Sequence, residues 1–372
     1  MIYLNNSATS WPKAPGMSEA VKDTLDRIPA PGNRATFSAD TKDATCRQAL
    51  ARMMGAADEK NVVYTSCATA GLNIGLLGFP WEPKDVVLTT AAEHNAVLRP
   101  LYLLQKAGRL HYQVMPVEKD GRLSGEVLHT YLQEYHPRML VLTHASNVTG
   151  ALNDIDLLAG MAKEAGCQVF LDASQTAGLY PVLAKKRQLD LAVVTGHKYL
   201  LGPQGTGALY VSPKLDIAPV FTGGTGIRSD EKEMPWEMPL RLEPGTLNET
   251  SLAGLHYALD WNFGHPPDLE KLMEQTEILE ESLRRLGCRV VSVSGEKTPV
   301  VTFVSDRYSP EDIGDMLYGS FDIICRTGLH CAPLIFPFLA MPKQGTVRFS
   351  LSRFTTKEEV EQTVEALEAI FS

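Results

Sequence analysis

The chain lacks paired cysteines, a long apolar run, an excess of positive charge, low-complexity tracts and internal repeats. Each absence removes a class of function. The six cysteines, at positions 46, 67, 167, 288, 325 and 331, form no CxxC and no paired metal-ligand spacing. They read as free thiols, most of them buried, and no metal site is expected. The apolar stretch at 332–341 is broken by Pro333 and Pro337 and is too short to cross a bilayer. The opening MIYLNNSATS has neither a basic flank nor a long apolar segment, so no signal peptide is expected, and a cytoplasmic location is. A net charge of −9 argues against a nucleic-acid partner, which would need a basic face.

What is present is ordinary for a globular protein: 372 residues, 44% hydrophobic and 21% charged, enough for a large core and two domains. Helical spacing over 17–28 and 42–54 flanks a Pro/Gly/Asn-rich loop at 30–38. Strands are then expected at 62–65, 86–90, 111–115, 139–143, 168–172, 191–194 and 207–211, with helices at 72–77, 97–107, 125–134 and 156–165 between them. This alternation predicts an α/β fold, a mostly parallel sheet with helices on both faces, whose ligand sits at the C-terminal ends of the strands. Beyond Ser212 the pattern loosens into helices at 252–263 and 268–286, short strands near 289–293, 300–304, 323–326 and 345–351, and an amphipathic helix at 357–371 capped from Thr355 or Thr356. A large domain over 15–255 and a smaller α+β domain from 1–14 and 256–372 are expected.

Residues 190–211, DLAVVTGHKYLLGPQGTGALYV, organise the chain. A lysine directly after an apolar strand, beside Thr195 and His197 and followed by Gly202, Gly205 and Gly207, is not a typical solvated surface charge. It suits a Schiff base with an aldehyde cofactor. Such a cofactor needs a carboxylate for its ring nitrogen, and Asp172 ends a predicted strand. It needs a flat group against the ring, for which His94 is the candidate, and donors for a phosphate, which Ala68, Thr69, Thr195 and His197 can supply. The turn 66–71 alone reads equally as an ordinary capped strand-to-helix turn. Thr69, His94, Asn147, Asp172, Gln175, His197 and Lys198 all fall at predicted strand ends, and that agreement outweighs any single residue.

These motifs together make the chain similar to a known family. Glu93-His94-Asn95-Ala96, Ser146-Asn147-Val148-Thr149-Gly150, Leu171-Asp172-Ala173-Ser174-Gln175, Thr195-Gly196-His197-Lys198, Gly245-Thr246-Leu247-Asn248, Arg326-Thr327-Gly328-Leu329-His330-Cys331 and Val347-Arg348-Phe349-Ser350 resemble the class V aminotransferase group of fold-type I pyridoxal-phosphate enzymes. Within that group they resemble the cysteine desulfurases with a short catalytic loop, of the Suf type and the selenocysteine lyases. The resemblance covers almost the whole chain and implies a seven-stranded-type sheet.

It also implies roles. Lys198 would bind the pyridoxal 5'-phosphate aldehyde, Asp172 would pair with the ring nitrogen and Gln175 with the ring hydroxyl. His94 would stack on the ring and move protons, with Asn147 beside it. Ala68, Thr69, Thr195 and His197 would hold the phosphate, and Thr246 would reach it from the partner subunit of a homodimer. Arg348, with Arg326 nearby, would clamp the substrate carboxylate, and Arg353 is the rival clamp. Cys331, helped by a base such as His330, would take sulfur from L-cysteine as a persulfide, leave L-alanine and pass the sulfur to an acceptor protein. The chain departs from the family at Cys67, where glycine is usual, and at Ala70, where glutamate is frequent. Selenocysteine lyase, a class V aminotransferase or β-lyase without sulfur transfer, and a non-enzymatic binding protein on the same fold are the alternative readings.

Overall fold

The computed structural model describes residues 1–27 and 42–372. The helix end expected at Ile28 and the loop expected at 30–38 lie outside the described residues. In chain order the elements are β1 (Ile2–Tyr3), α1 (Met17–Leu25), α2 (Lys42–Met54), β2 (Val62–Thr65), α3 (Ala68–Leu77), β3 (Val86–Thr90), α4 (Asn95–Lys106), β4 (His111–Met115), α5 (Gly125–Tyr135), β5 (Met139–Thr143), α6 (Ile155–Glu164), β6 (Gln168–Asp172), β7 (Leu191–Thr195) and β8 (Gly207–Val211). After them come α7 (Glu249–Gly264), α8 (Leu269–Arg285), β9 (Arg289–Val290), β10 (Val300–Val304), α9 (Pro310–Phe321), β11 (Ile323–Ile324), β12 (Arg326–Gly328), β13 (Thr346–Ser350) and α10 (Lys357–Phe371).

Seven strands form the main sheet in the order β2-β8-β7-β6-β5-β3-β4. Strand β8 runs antiparallel to both neighbours, and the remaining pairs are parallel. Strands such as MLVLT in β5 and LAVVT in β7 are buried at every position, as expected of a sheet covered on both faces. Alternation sorts their side chains: Leu140, Leu142, Ala192 and Val194 pack with α2, α5, α6 and α7 on one face. Met139, Val141, Leu191 and Val193 pack with α3 and α4 on the other. The chain runs from β3 out to the edge strand β4 and returns to β5 on the opposite side of β3. That reversal opens a crevice at the C-terminal ends of β3 and β5.

A second sheet, β12-β13-β10-β9, is antiparallel and carries α8, α9 and α10 over a separate apolar cluster. The N-terminal strand β1 joins this part of the molecule by pairing with β11. Of the two caps offered at the last helix, Thr356 is the one used, in a capping box with Glu359. Helix α9 was not expected. Its start signal is nevertheless in the sequence, because Ser309 and Asp312 cap each other and Pro310 takes the first helical position. Residues 68–71, expected as a turn, belong to the first turn of α3. Among the described residues no helix is long and apolar enough to cross a membrane, and no His/Cys/Asp/Glu group has the arrangement of a metal site.

Candidate active site

The crevice is a cavity walled by the residues that follow β3, β5, β6 and β7, by the start of α3, and by Ser7 and Ala8 of the N-terminal segment. Asp172 closes β6 and is buried; its Oδ1 accepts the backbone N–H of Ser174 at 2.9 Å and that residue's hydroxyl. Its Oδ2 has no hydrogen bond among the described residues. Lys198, three residues beyond β7, lines the same cavity without a hydrogen bond or ion pair among the described residues. Burial pushes its ammonium down to about 8, opposed by the Asp172 charge and reinforced by Arg348 and Arg326. The amine therefore carries a neutral, nucleophilic fraction of about a tenth at pH 7, far above that of a solvated lysine.

His94 is the N-cap of α4, and its Nδ1 accepts the Ala96 N–H at 3.0 Å. Burial first, then the Lys198 charge, hold the imidazole down to about 4. The ring is neutral at pH 7, and because Nδ1 accepts, its proton is on Nε2. Beneath it lies Glu93, which is fully buried. Glu93 Oε1 accepts the Thr143 N–H at 2.9 Å and the Thr90 hydroxyl at 2.8 Å, while Oε2 has no partner among the described residues. Burial raises this carboxyl to about 8, two hydrogen bonds oppose the rise and the Asp172 charge adds to it, so Glu93 is protonated at neutral pH.

One end of the cavity is built for an anion. Helix α3 begins at Cys67 without a side-chain cap, so the first N–H groups, at Ala68 and Thr69, face the cavity with the positive end of the helix dipole. Opposite them Thr195 is only 2% exposed, and its hydroxyl has no partner among the described residues. His197 Nδ1 is likewise buried and unpaired. Burial and the charges of Lys198 and Lys13 lower that imidazole to about 4. Lys13 donates to the His197 carbonyl at 3.1 Å and fastens the N-terminal segment to this loop. Gln175 donates Nε2 to the Ser7 carbonyl at 3.1 Å, and its Oε1 has no partner among the described residues.

At the other end only Arg326 lines the cavity; the thiol of Cys331 and the guanidinium of Arg348 lie behind the wall. Cys331 and His330 both have positive φ, 60° and 50°, a left-handed pair that non-glycine residues seldom adopt. The loop is held by its main chain: Asn95 N–H donates to the Cys331 carbonyl and Asn147 Nδ2 to the His330 carbonyl, each at 2.7 Å. The Cys331 sulfur accepts from Arg326 Nη2 at 3.1 Å, and Arg326 also lines the cavity. In the β12–β13 register Arg326 stands directly opposite Arg348. Like charges so placed repel, and an anion between or beside them offsets the repulsion. Arg348 is fully buried and donates to the Asn147 carbonyl at 2.8 Å and to Asn5 Oδ1 at 3.2 Å; its Nε has no partner among the described residues. Burial and Arg326 lower its guanidinium to about 9, so it remains charged at pH 7.

The structure thus brings Ala68, Thr69, His94, Asn147, Asp172, Gln175, Thr195, His197, Lys198 and Arg326 to one cavity. Arg348 lies behind Asn147 rather than on the wall. Arg353 is elsewhere: its guanidinium is taken by the Gly178 carbonyl and Asn262 Oδ1 and lies over the Trp261 ring. Thr246 is exposed and outside its own chain's cavity. His330, expected as a base for the thiol, is buried with Nε2 against the Thr346 hydroxyl at 2.8 Å and is held well below the usual imidazole range by burial and both arginines. The polar group on the Cys331 sulfur is Arg326 instead. The sequence reading missed Ser7, Ala8, Lys13 and Thr143, whose roles depend on contacts far along the chain. Glu93 was visible there only as the neighbour of His94.

Comparison with known proteins agrees with this geometry. The family described as Aminotransferase class-V matches residues 2–363. A cysteine desulfurase of Pectobacterium atrosepticum is 29% identical over 353 residues, covering 90% of this chain and 84% of that protein. A probable cysteine desulfurase of Methanothermobacter thermautotrophicus is 26% identical, covering 99% of this chain and 94% of that one. Among solved structures, the apo cysteine desulfurase of Thermococcus onnurineus superimposes with a TM-score of 0.91 at 25% identity, over 100% of this chain and 94% of that one. The Escherichia coli cysteine desulfurase CsdA shares the fold at a TM-score of 0.85 and 24% identity, over 99% of this chain and 94% of that one. The match to that family's model along nearly the whole length means that the chain belongs to the aminotransferase class-V family.

Proposed function

We propose that this protein is a pyridoxal-phosphate-dependent cysteine desulfurase that converts L-cysteine to L-alanine and parks the sulfur on Cys331. The observation that carries the reading is Arg326, which lines the cavity of Lys198 while donating to the Cys331 sulfur. The residues suit the cofactor. The uncapped α3 end, the orphaned Thr195 hydroxyl and His197 Nδ1 match its phosphate, Asp172 Oδ2 its ring nitrogen, and the partner-free Lys198 amine its aldehyde. When bound, the cofactor supplies an electron sink for bonds broken at the amino acid.

The chain's own residues do the rest. Arg326, on the cavity wall, binds the substrate carboxylate and fixes its orientation, and the charge of Arg348 behind it adds to the attraction. Lys198 takes and returns the proton at the substrate α-carbon, which its lowered ammonium range permits at neutral pH. His94 offers an Nε2–H donor to the substrate side of the cavity. The Cys331 thiolate attacks the substrate sulfur; an S–S bond forms as the C–S bond breaks, and protonation at carbon leaves alanine. Anchoring of the loop through Asn95 and Asn147 holds the thiol in register with the cofactor pocket.

The reading extends to a homodimer in which the partner's Thr246 completes the phosphate site. The exposed position of Thr246 and the exposed Phe221 and Trp236 near it in sequence support this arrangement. A sulfur-acceptor protein would then discharge Cys331.

The test is direct. The purified protein, yellow with cofactor, is given L-cysteine with and without a reductant, and alanine and sulfide are measured. Release of both, lost in Cys331→Ala, is the expected result. Full cysteine turnover in Cys331→Ala would remove the persulfide assignment, and turnover of selenocysteine alone would transfer the reading to a selenocysteine lyase.

A further inference from the structure

Cys67 is used by no step of the proposed reaction, yet it is among the residues lining the cavity, next to Ala68 and Thr69 at the anion end. It is the N-cap of α3 with an extended backbone (φ −175°) and makes no capping hydrogen bond. Its sulfur accepts only a long hydrogen bond, from the Ser66 hydroxyl at 4.0 Å, among the described residues. The same anion end holds the unpaired hydroxyl of Thr195, a residue 2% exposed, which marks the spot as built to receive a ligand. The other cysteines are differently placed. Cys46, Cys167 and Cys288 are buried, and burial pushes the thiols of Cys167 and Cys325 up to about 12. The Cys331 sulfur is occupied by Arg326.

We propose that Cys67 is a modification site that governs cofactor loading: a mixed disulfide formed there fills the phosphate cradle, and a bound phosphate in turn shields the thiol. The ligand class is a low-molecular-weight disulfide. The Cys67 thiolate attacks one of its sulfurs, a new S–S bond forms as the old one breaks, and the other half leaves as a thiolate, so no further oxidant enters. A thiol reverses the step by the same exchange. The geometry makes occupancy exclusive. The N–H groups of Ala68 and Thr69 begin at the residue after Cys67, so an adduct on this sulfur stands where a phosphate oxygen must approach them.

The inference rests on the proposed cofactor only for its loading arm, so the experiment has two arms. The full-length chain in a Cys331→Ala background, as purified with cofactor and after its removal, is treated with oxidised glutathione, and modified peptides are mapped by mass spectrometry. Glutathionylated Cys67 is expected in the stripped protein and not in the loaded one. Inorganic phosphate at about ten times its dissociation constant leaves about a tenth of the cradles free, so it slows the modification about tenfold. Modified protein fails to regain visible absorbance with pyridoxal phosphate until dithiothreitol is added, whereas Cys67→Ser in the same background loads irrespective of the disulfide. A stripped protein unmodified at Cys67, a rate unaffected by phosphate, or normal loading of the modified protein overturns the inference. If the chain takes up no pyridoxal phosphate at all while phosphate still shields Cys67, the cofactor reading fails and the cradle thiol stands.

Discussion

Arg326 and Arg348 face each other across two strands, and their surroundings divide the work between them. Arg348 is enclosed and holds the Asn147 carbonyl and Asn5, so it is as much a structural tie as a clamp. Arg326 reaches both the cavity wall and the Cys331 sulfur. A charge-assisted bond to a carboxylate contributes about 1.5–3 kcal/mol, so Arg326→Gln is expected to lower kcat/KM for L-cysteine about ten- to hundredfold, measured by alanine formation. Arg326→Lys should recover only part of this, because an ammonium lacks the bidentate fork.

Glu93 gives a residue-scale prediction of pH dependence. Its folded carboxyl titrates at about 8, against an ordinary 4.5, so the folded state holds a proton that the unfolded state releases. Below the unfolded value Glu93 weighs nothing against folding; between 4.5 and about 8 stability is lost as pH rises. Glu93→Gln keeps an acceptor for Thr143 and Thr90 and puts NH2 where the protonated oxygen stands. Its stability advantage over the unsubstituted chain should therefore grow across that window, on the order of a few kcal/mol, read by denaturation at several pH values. A flat difference would show that Glu93 is ionised in the folded protein.

At the scale of elements, α3 delivers the anion cradle because it lies close on the sheet. A Cβ on Gly75 would stand 2.6 Å from the Phe170 ring, and one on Gly71 2.8 Å from Val193. Gly75→Ala should destabilise the protein by about 1–3 kcal/mol through overpacking. By displacing the helix start it should also weaken cofactor retention, measured by absorbance after dialysis. At the far end of the chain Thr356→Ala removes the α10 cap and should lower stability by about 1 kcal/mol without changing the cofactor spectrum. The strands of the main sheet were legible in the sequence nearly to the residue, because each is an apolar run bounded by turn residues. Helix α9 was not, although its cap was plain, because its interior carries Gly314 and Gly319 and a weak apolar pattern. The split of the expected strand at 323–326 into β11 and β12 follows from their different partners, β1 and β13, which no local pattern encodes.

At the scale of the whole molecule, the proposed dimer should sediment at twice 40.8 kDa, and Thr246→Ala should weaken cofactor binding despite Thr246 lying outside its own chain's cavity. A monomeric species that retains full cofactor affinity would overturn the shared site. The sequence by itself determined the α/β alternation and the strand ends, and it singled out Lys198, Asp172 and His94 as candidates, because strand periodicity and motif chemistry are local properties. Only the tertiary structure decided that the N-terminal segment walls the cavity, that Arg326 rather than His330 meets the sulfur, and that Arg353 belongs elsewhere. Those outcomes depend on strand register and on contacts between residues hundreds of positions apart, and such contacts form only when the sheets are assembled.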